Sequence, residues 1–188
     1  MTLKLAPEGD PARTTTDTGI RLFEDLVQNH AREIQLFLYK LCGNHHDAEE
    51  LAPDVFIKAY RKIDTLREPA ATRRWLYTIA VNHFNDWIKP RRRTAMRAIG
   101  DIDDYDLSGP RQDQPAKQAA AIEFSAWLNE CILGLPDRQR TVLLLFSAKG
   151  FDYGDIADSL GISADAVKMS LFHAREKLKR RVAKFLGT

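Results

Sequence analysis

Apolar residues recur at helical spacing along most of the chain. Between Leu22 and Leu41 they fall at Leu22, Phe23, Leu26, Val27, Ile34, Phe37, Leu38 and Leu41, steps of three and four that mark one face of an amphipathic helix. Gly43 ends that stretch. A second pattern starts near Asp47 and uses Leu51, Val55, Phe56, Ala59, Tyr60 and Ile63, and a third starts near Ala71 with Trp75, Leu76, Ile79, Ala80, Phe84, Trp87 and Ile88. Pro90 and Arg91-Arg92-Arg93 close that block, while Asp64 to Ala70, with Pro69, reads as a loop. From Thr94 to Ala119 bulky apolar residues thin out among Gly100, Gly109, Pro110, Pro115 and clustered acids, the composition of a linker. Helical patterning resumes with Ala121, Ile122, Phe124, Trp127, Leu128, Ile132 and Leu135, and Pro136 stands where a first-turn proline starts a helix through Phe146. No strand-like alternation occurs. The predicted fold is all-α: a disordered arm over 1–19, a helical domain over 20–93, a flexible acidic linker over 94–118 and a second small helical domain over 119–188.

The last segment carries the sharpest local signals. Asp152-Tyr153-Gly154-Asp155 has the spacing of a capping box that opens a short helix containing Ile156, Ala157 and Leu160. Gly161 suits the left-handed exit, and Ser163 suits the cap of the following helix. Helix, glycine turn, helix is the helix-turn-helix pattern. On the second helix Val167, Leu171, Ala174, Leu178, Val182 and Phe185 form one apolar stripe predicted to face the core. At 100° per residue the opposite face carries Asp165, Met169, Phe172, His173 and Glu176, flanked by Lys168 and Lys179. Methionine and phenylalanine facing outward pack either on thymine methyl groups in a major groove or on another protein surface.

Charge and composition narrow the partners. The 188 residues carry 28 Lys plus Arg against 26 Asp plus Glu, a net charge of +2 that by itself identifies nothing. The charges are segregated: basic at Arg91 to Arg93 and Lys177 to Lys184, acidic at Asp47 to Asp54 and Asp101 to Asp106, which predicts separate partners for separate patches. No run approaches the roughly 18 apolar residues of a membrane span, and Met1 to Arg13 lacks a leader's apolar stretch, so a cytoplasmic chain without membrane insertion is expected. The two cysteines, Cys42 and Cys131, read as buried free thiols. His30, His45, His46, His83 and His173 do not make metal-ligand spacing with acids, and no glycine-rich phosphate loop or nucleophile motif is present, so neither a metal nor a cofactor nor an enzyme activity is predicted.

The order of four blocks carries a family resemblance. Phe23-Glu24-Asp25-Leu26-Val27, then Asp47-Ala48-Glu49-Glu50-Leu51 with Val55-Phe56, then Trp75-Leu76-Tyr77-Thr78-Ile79-Ala80 with Asn82, and finally Leu135-Pro136-Asp137-Arg138-Gln139-Arg140 before the helix-turn-helix resemble the extracytoplasmic-function group of the sigma-70 family. The resemblance covers about residues 20 to 185. It implies an RNA polymerase specificity subunit, a monomer when free, whose partners are the β and β′ subunits of core polymerase, promoter DNA and an inhibitory anti-sigma factor. By that resemblance Asp47, Glu50, Leu51, Asp54 and Phe56 bind the β′ clamp helices. The loop and third helix read and melt the −10 element through Tyr60, Asp64, Thr65, Leu66, Arg67, Arg73, Arg74, Trp75, Tyr77, Asn82 and Arg91 to Arg93. A flipped base needs a shaped loop, an amide and aromatic surface beside cations that hold phosphate, and these residue types supply them. In the second domain Arg138, Tyr153 and Arg175 are the implied phosphate contacts at the −35 element, with Ser163, Asp165, Lys168, Met169, Phe172 and His173 as the reading surface.

Two departures stand out. Pro53 replaces the family's usual glutamine in the acidic block and removes a helical hydrogen bond, predicting a kink. Met169, Ser170, Phe172 and His173 stand where relatives are commonly polar or basic, predicting a distinct promoter preference. A stand-alone helix-turn-helix regulator is the alternative; it would bind duplex DNA as a dimer without polymerase and gives no reason for the second and third helix blocks.

Overall fold

The computed structural model describes residues 11–66, 68–98, 116–148 and 151–186. The chain is all-α, and among the described residues no strand occurs. Helix α1 spans Pro11–Cys42, α2 His45–Arg61 and α3 Thr72–Ala98, with short 3-10 turns at Ile63–Thr65 and Pro69–Ala71 between α2 and α3. Helices α4 (Ala116–Leu133), α5 (Asp137–Ser147), α6 (Tyr153–Leu160) and α7 (Ala164–Leu186) form the second half. Two boundaries differ from the sequence reading. Residues 11–19, expected as an arm, belong to α1, and α3 continues through Pro90 to Ala98. An interior proline removes one helical hydrogen bond and crowds the carbonyl four residues back, a local cost that does not by itself end a helix, and α3 runs through Pro90. The linker acids Asp101, Asp103, Asp104 and Asp106 lie outside the described residues.

Helices α1, α2 and α3 pack mutually through the predicted apolar faces, burying Ile34, Leu38, Leu41, Leu51, Val55, Leu76 and Phe84 completely or nearly so. In the second half α7 packs on α5 and α6 through Val167, Leu171 and Ala174. The stripe ends there: Leu178 and Val182 are half-buried, and Phe185 is exposed beside Phe124 and Trp127, stacking on Trp127 at 4.3 Å. Two arginines terminate α4 from outside. Arg140 donates to the Leu133 carbonyl at 2.7 Å and Arg181 to that of Cys131 at 3.2 Å, supplying cations to carbonyls that a helix end leaves unmet.

The two halves do not stand apart. Their buried residues form one continuous cluster from Leu26 to Leu171. Leu133 at the end of α4 rests on the α1–α2 turn, where Gly43 holds φ at +88° and an added Cβ would lie 3.1 Å from the leucine. Helix α6 packs on α3. Both thiols are unpaired; Cys131 is buried and Cys42 half-buried, its thiol pushed up to about 12 by burial and then by the nearby Asp47 carboxylate.

Candidate nucleic-acid interface

The acidic helix start is built by a cap. Asn44 holds extended backbone and its side-chain oxygen accepts the Asp47 N–H at 2.7 Å, while its amide donates to the Asp47 carboxylate. Glu50 and Asp54 are exposed, and Phe56 is half-buried. Leu51 is a correction: at 2% exposure it belongs to the core beneath this surface, since its place on the α2 stripe turns it toward α1. Pro53 lies inside α2 on the exposed side, and the helix continues to Arg61.

The loop after α2 is tied to the start of α3. Thr65 donates its hydroxyl to the Lys62 carbonyl at 2.6 Å, and the Trp75 indole N–H donates to that same hydroxyl at 3.1 Å. Asp64, Thr65 and Tyr60 are exposed, Leu66 is half-buried, and Arg67 lies outside the described residues. Asn82 is exposed two turns further along α3. Arg91 places its guanidinium 3.6 Å from the Trp87 ring centre, so Trp87 packs on the core and carries a cation on its outer face. The side chains of Arg92 and Arg93 lie outside the described residues.

Tyr77 and Arg73 are committed inward. Tyr77 is 5% exposed, its ring against Phe37 and Phe151, and its hydroxyl donates to Glu33 Oε1 at 2.7 Å; it has no free face for a base. Arg73 donates to the same oxygen through Nε at 2.6 Å and also through Nη2. Burial pushes the Glu33 carboxyl up, but the hydrogen bonds from Arg73, Tyr77 and His30 outweigh it and hold the group below its ordinary value. Glu33 thus fixes the start of α3 against α1. No local pattern reports this role, because the partners of Glu33 lie 40 and 44 residues away.

The helix-turn-helix has the predicted chemistry. Asp152 and Asp155 form a reciprocal capping box, Gly161 is left-handed at φ +63°, and the Ser163 hydroxyl accepts the Ala166 N–H at 3.2 Å. Met169 and Phe172 are 53% and 56% exposed, with Asp165, Lys168 and His173 also exposed on α7. Arg175 lies over the Phe146 ring at 5.0 Å, and Phe146 stacks on Tyr153, so two residues read as phosphate contacts share one aromatic seat. Arg138 is exposed on α5.

These two surfaces meet. Arg74 on α3 pairs with Asp155 on α6 at 2.7 Å, the Thr78 and Ser159 hydroxyls bond at 2.8 Å, and the Tyr77 and Phe151 rings lie 5.7 Å apart.

Comparison with known proteins agrees with this geometry. The model of sigma-70 region 2 matches residues 26–94, and that of sigma-70 region 4 matches residues 125–178. RNA polymerase sigma factor YlaC of Bacillus subtilis (strain 168) is 32% identical over 162 residues, covering 86% of this chain and 92% of that protein. The chain belongs to the extracytoplasmic-function group of the sigma-70 family. ECF RNA polymerase sigma factor SigE of Mycolicibacterium smegmatis is 29% identical over 162 residues, and this sigma factor spans 62% of SigE's length. In fold it is similar to the sigma factor RpoE of Bartonella quintana, solved in complex with the anti-sigma factor NepR, at a TM-score of 0.62 and 24% identity over 84% of this chain and 94% of that one.

Within this sigma factor, region 2 contains the acidic surface, the Thr65–Trp75 loop and Asn82, and region 4 contains the capped helix-turn-helix. Among the described residues no helix is long and apolar enough to cross a membrane.

Proposed function

We propose that this sigma factor binds core RNA polymerase through Asp47, Glu50, Asp54 and Phe56 and directs initiation at promoters carrying a −10 and a −35 element. The reading rests above all on one observation: a capped helix-turn-helix that exposes Met169 and Phe172 stands on the same chain as a region 2 domain. Apolar side chains left in water on a recognition helix suit thymine methyl groups, and Lys168, Tyr153 and Arg175 suit the flanking phosphates. The Thr65–Trp75 loop, Tyr60 and Asn82 form the −10 reader, with Arg74 and Arg91 to Arg93 holding the strand. The chain works in the cytoplasm as a monomer when free, and the bond chemistry stays with the polymerase. An anti-sigma factor that covers both domains is the proposed regulator; the RpoE of similar fold was solved in complex with an anti-sigma factor, NepR.

In vitro transcription with sigma-free core polymerase on a fragmented genomic library tests this. New transcript starts sharing two spaced motifs are expected when the protein is added. Duplex binding without a new start would instead favour the stand-alone regulator.

A further inference from the structure

One histidine outside every motif lies beneath the acidic surface. His83, on α3, has a side chain only 11% exposed and faces α2 between Asp54 and Lys58. The Lys58 ammonium lies 2.7 Å from His83 Nδ1, and Asp54 Oδ2 lies 3.5 Å from Nε2, an ion-pair distance with no hydrogen bond formed. An ammonium has only protons to give, so Nδ1 carries the lone pair and the proton sits on Nε2, toward Asp54. The imidazole is neutral.

The consequence concerns Lys58. Asp54 and Lys58 are four residues apart on one helix, the spacing at which an acid and a following lysine pair with each other. Among the described residues no ion pair joins them; the lysine is drawn to the imidazole instead. Asp54 stays 60% exposed with its charge unquenched by its helical neighbour.

We infer that His83 is a positioning residue for polymerase binding: it holds Lys58 away from Asp54 and so leaves that carboxylate open to a basic partner. This rests on the reading of Asp54 as part of the polymerase-binding surface. Protonation of His83 removes the lone pair, repels Lys58 and sets an imidazolium beside Asp54, so the surface loses negative charge. The charged groups acting on His83 are Lys58 and Asp54 from α2 and Asp86 of its own helix, the last already paired with Lys89 at 3.0 Å. Burial and then Lys58 draw the imidazole below its ordinary value, against the pull of the two acids, which keeps the neutral form dominant near neutrality.

The test is equilibrium binding of the full chain to core polymerase from pH 5.5 to 8 at fixed ionic strength. Wild type is expected to lose about two- to fivefold in affinity on acidification relative to His83→Gln, whose amide can accept from Lys58 and donate toward Asp54 without titrating. His83→Leu should bind about two- to fivefold more weakly than wild type already at pH 7.5, and adding Lys58→Met should restore it. Parallel profiles for wild type and His83→Gln would overturn the inference, as would a His83→Leu protein that binds like wild type or that Lys58→Met fails to rescue. If His83→Leu melts before it can be assayed, the comparison with His83→Gln decides alone. A wild-type chain that binds no core polymerase at any pH would sink the polymerase-binding reading itself.

Discussion

The contact between α3 and α6 makes a quantitative prediction. Arg74→Gln with Ser159→Ala removes the ion pair to Asp155 and the hydroxyl bond to Thr78 but leaves Asp155 able to cap its own helix. The Arg74 side chain is 46% exposed and that of Asp155 19%, so solvent screens the pair and it contributes about 0.5–1 kcal/mol. The largely buried hydroxyl bond contributes about 0.5–1.5 kcal/mol. Together they amount to about 1–2.5 kcal/mol, which raises the ratio of domain-separated to domain-docked molecules about five- to seventyfold. Tyr77 on Phe151 and Leu133 on Gly43 still favour docking, so separation should be partial. Single-molecule energy transfer between labels on cysteines replacing the exposed Glu24 and Lys179 reads this ratio. Duplex −35 DNA should bind the double variant as tightly as wild type, since that binding does not use Arg74 and Met169 and Phe172 are already exposed in the docked form. An unchanged transfer distribution would refute the assignment of these two bonds as the polar half of the clasp.

Other outcomes are specific to single sites. Glu33→Gln should lower the melting temperature by a few degrees, about 1 kcal/mol for a half-exposed charged hydrogen-bond cluster. The Glu33 carboxyl is held below its unfolded value of 4.5, so its contribution is present above that pH and is lost as pH falls through the folded value; acid titration of Glu33→Gln should lack this component. Asn82→Ala should reduce open-complex formation, measured by permanganate footprinting, while binding to polymerase is unchanged; equal loss of both would reject a base-reading role. Met169→Ala with Phe172→Ala should alter −35 selectivity by about 1–3 kcal/mol per lost base contact, measured by competition between duplexes. Unchanged selectivity would reassign those side chains to a protein partner.

What could be read from the sequence was local. The capping box at Asp152, the left-handed Gly161, the Ser163 cap and the buried faces of Val167 and Leu171 follow from patterns within a few residues, and the structure has them. Leu51 and Tyr77 turn inward although the family resemblance implies contacts for both, since a motif names positions without stating which way each side chain turns. Arg73 and Glu33, Arg74 and Asp155, and Lys58 and His83 meet across 40, 81 and 25 residues, and no periodicity reports such pairs. Helix α3 runs beyond the end that Pro90 predicts, because a proline disfavours a helix without forbidding it.

Asp155 divides its two oxygens between separate tasks: Oδ2 accepts from the backbone of its own capping box, and Oδ1 accepts from Arg74 of the other domain. Breaking the second bond leaves the first intact, so region 4 can be released as a finished part, with no turn to unwind and none to re-form. Separation of the two domains is therefore expected on the microsecond-to-millisecond scale of rigid-body domain motion, without the local unfolding of a turn.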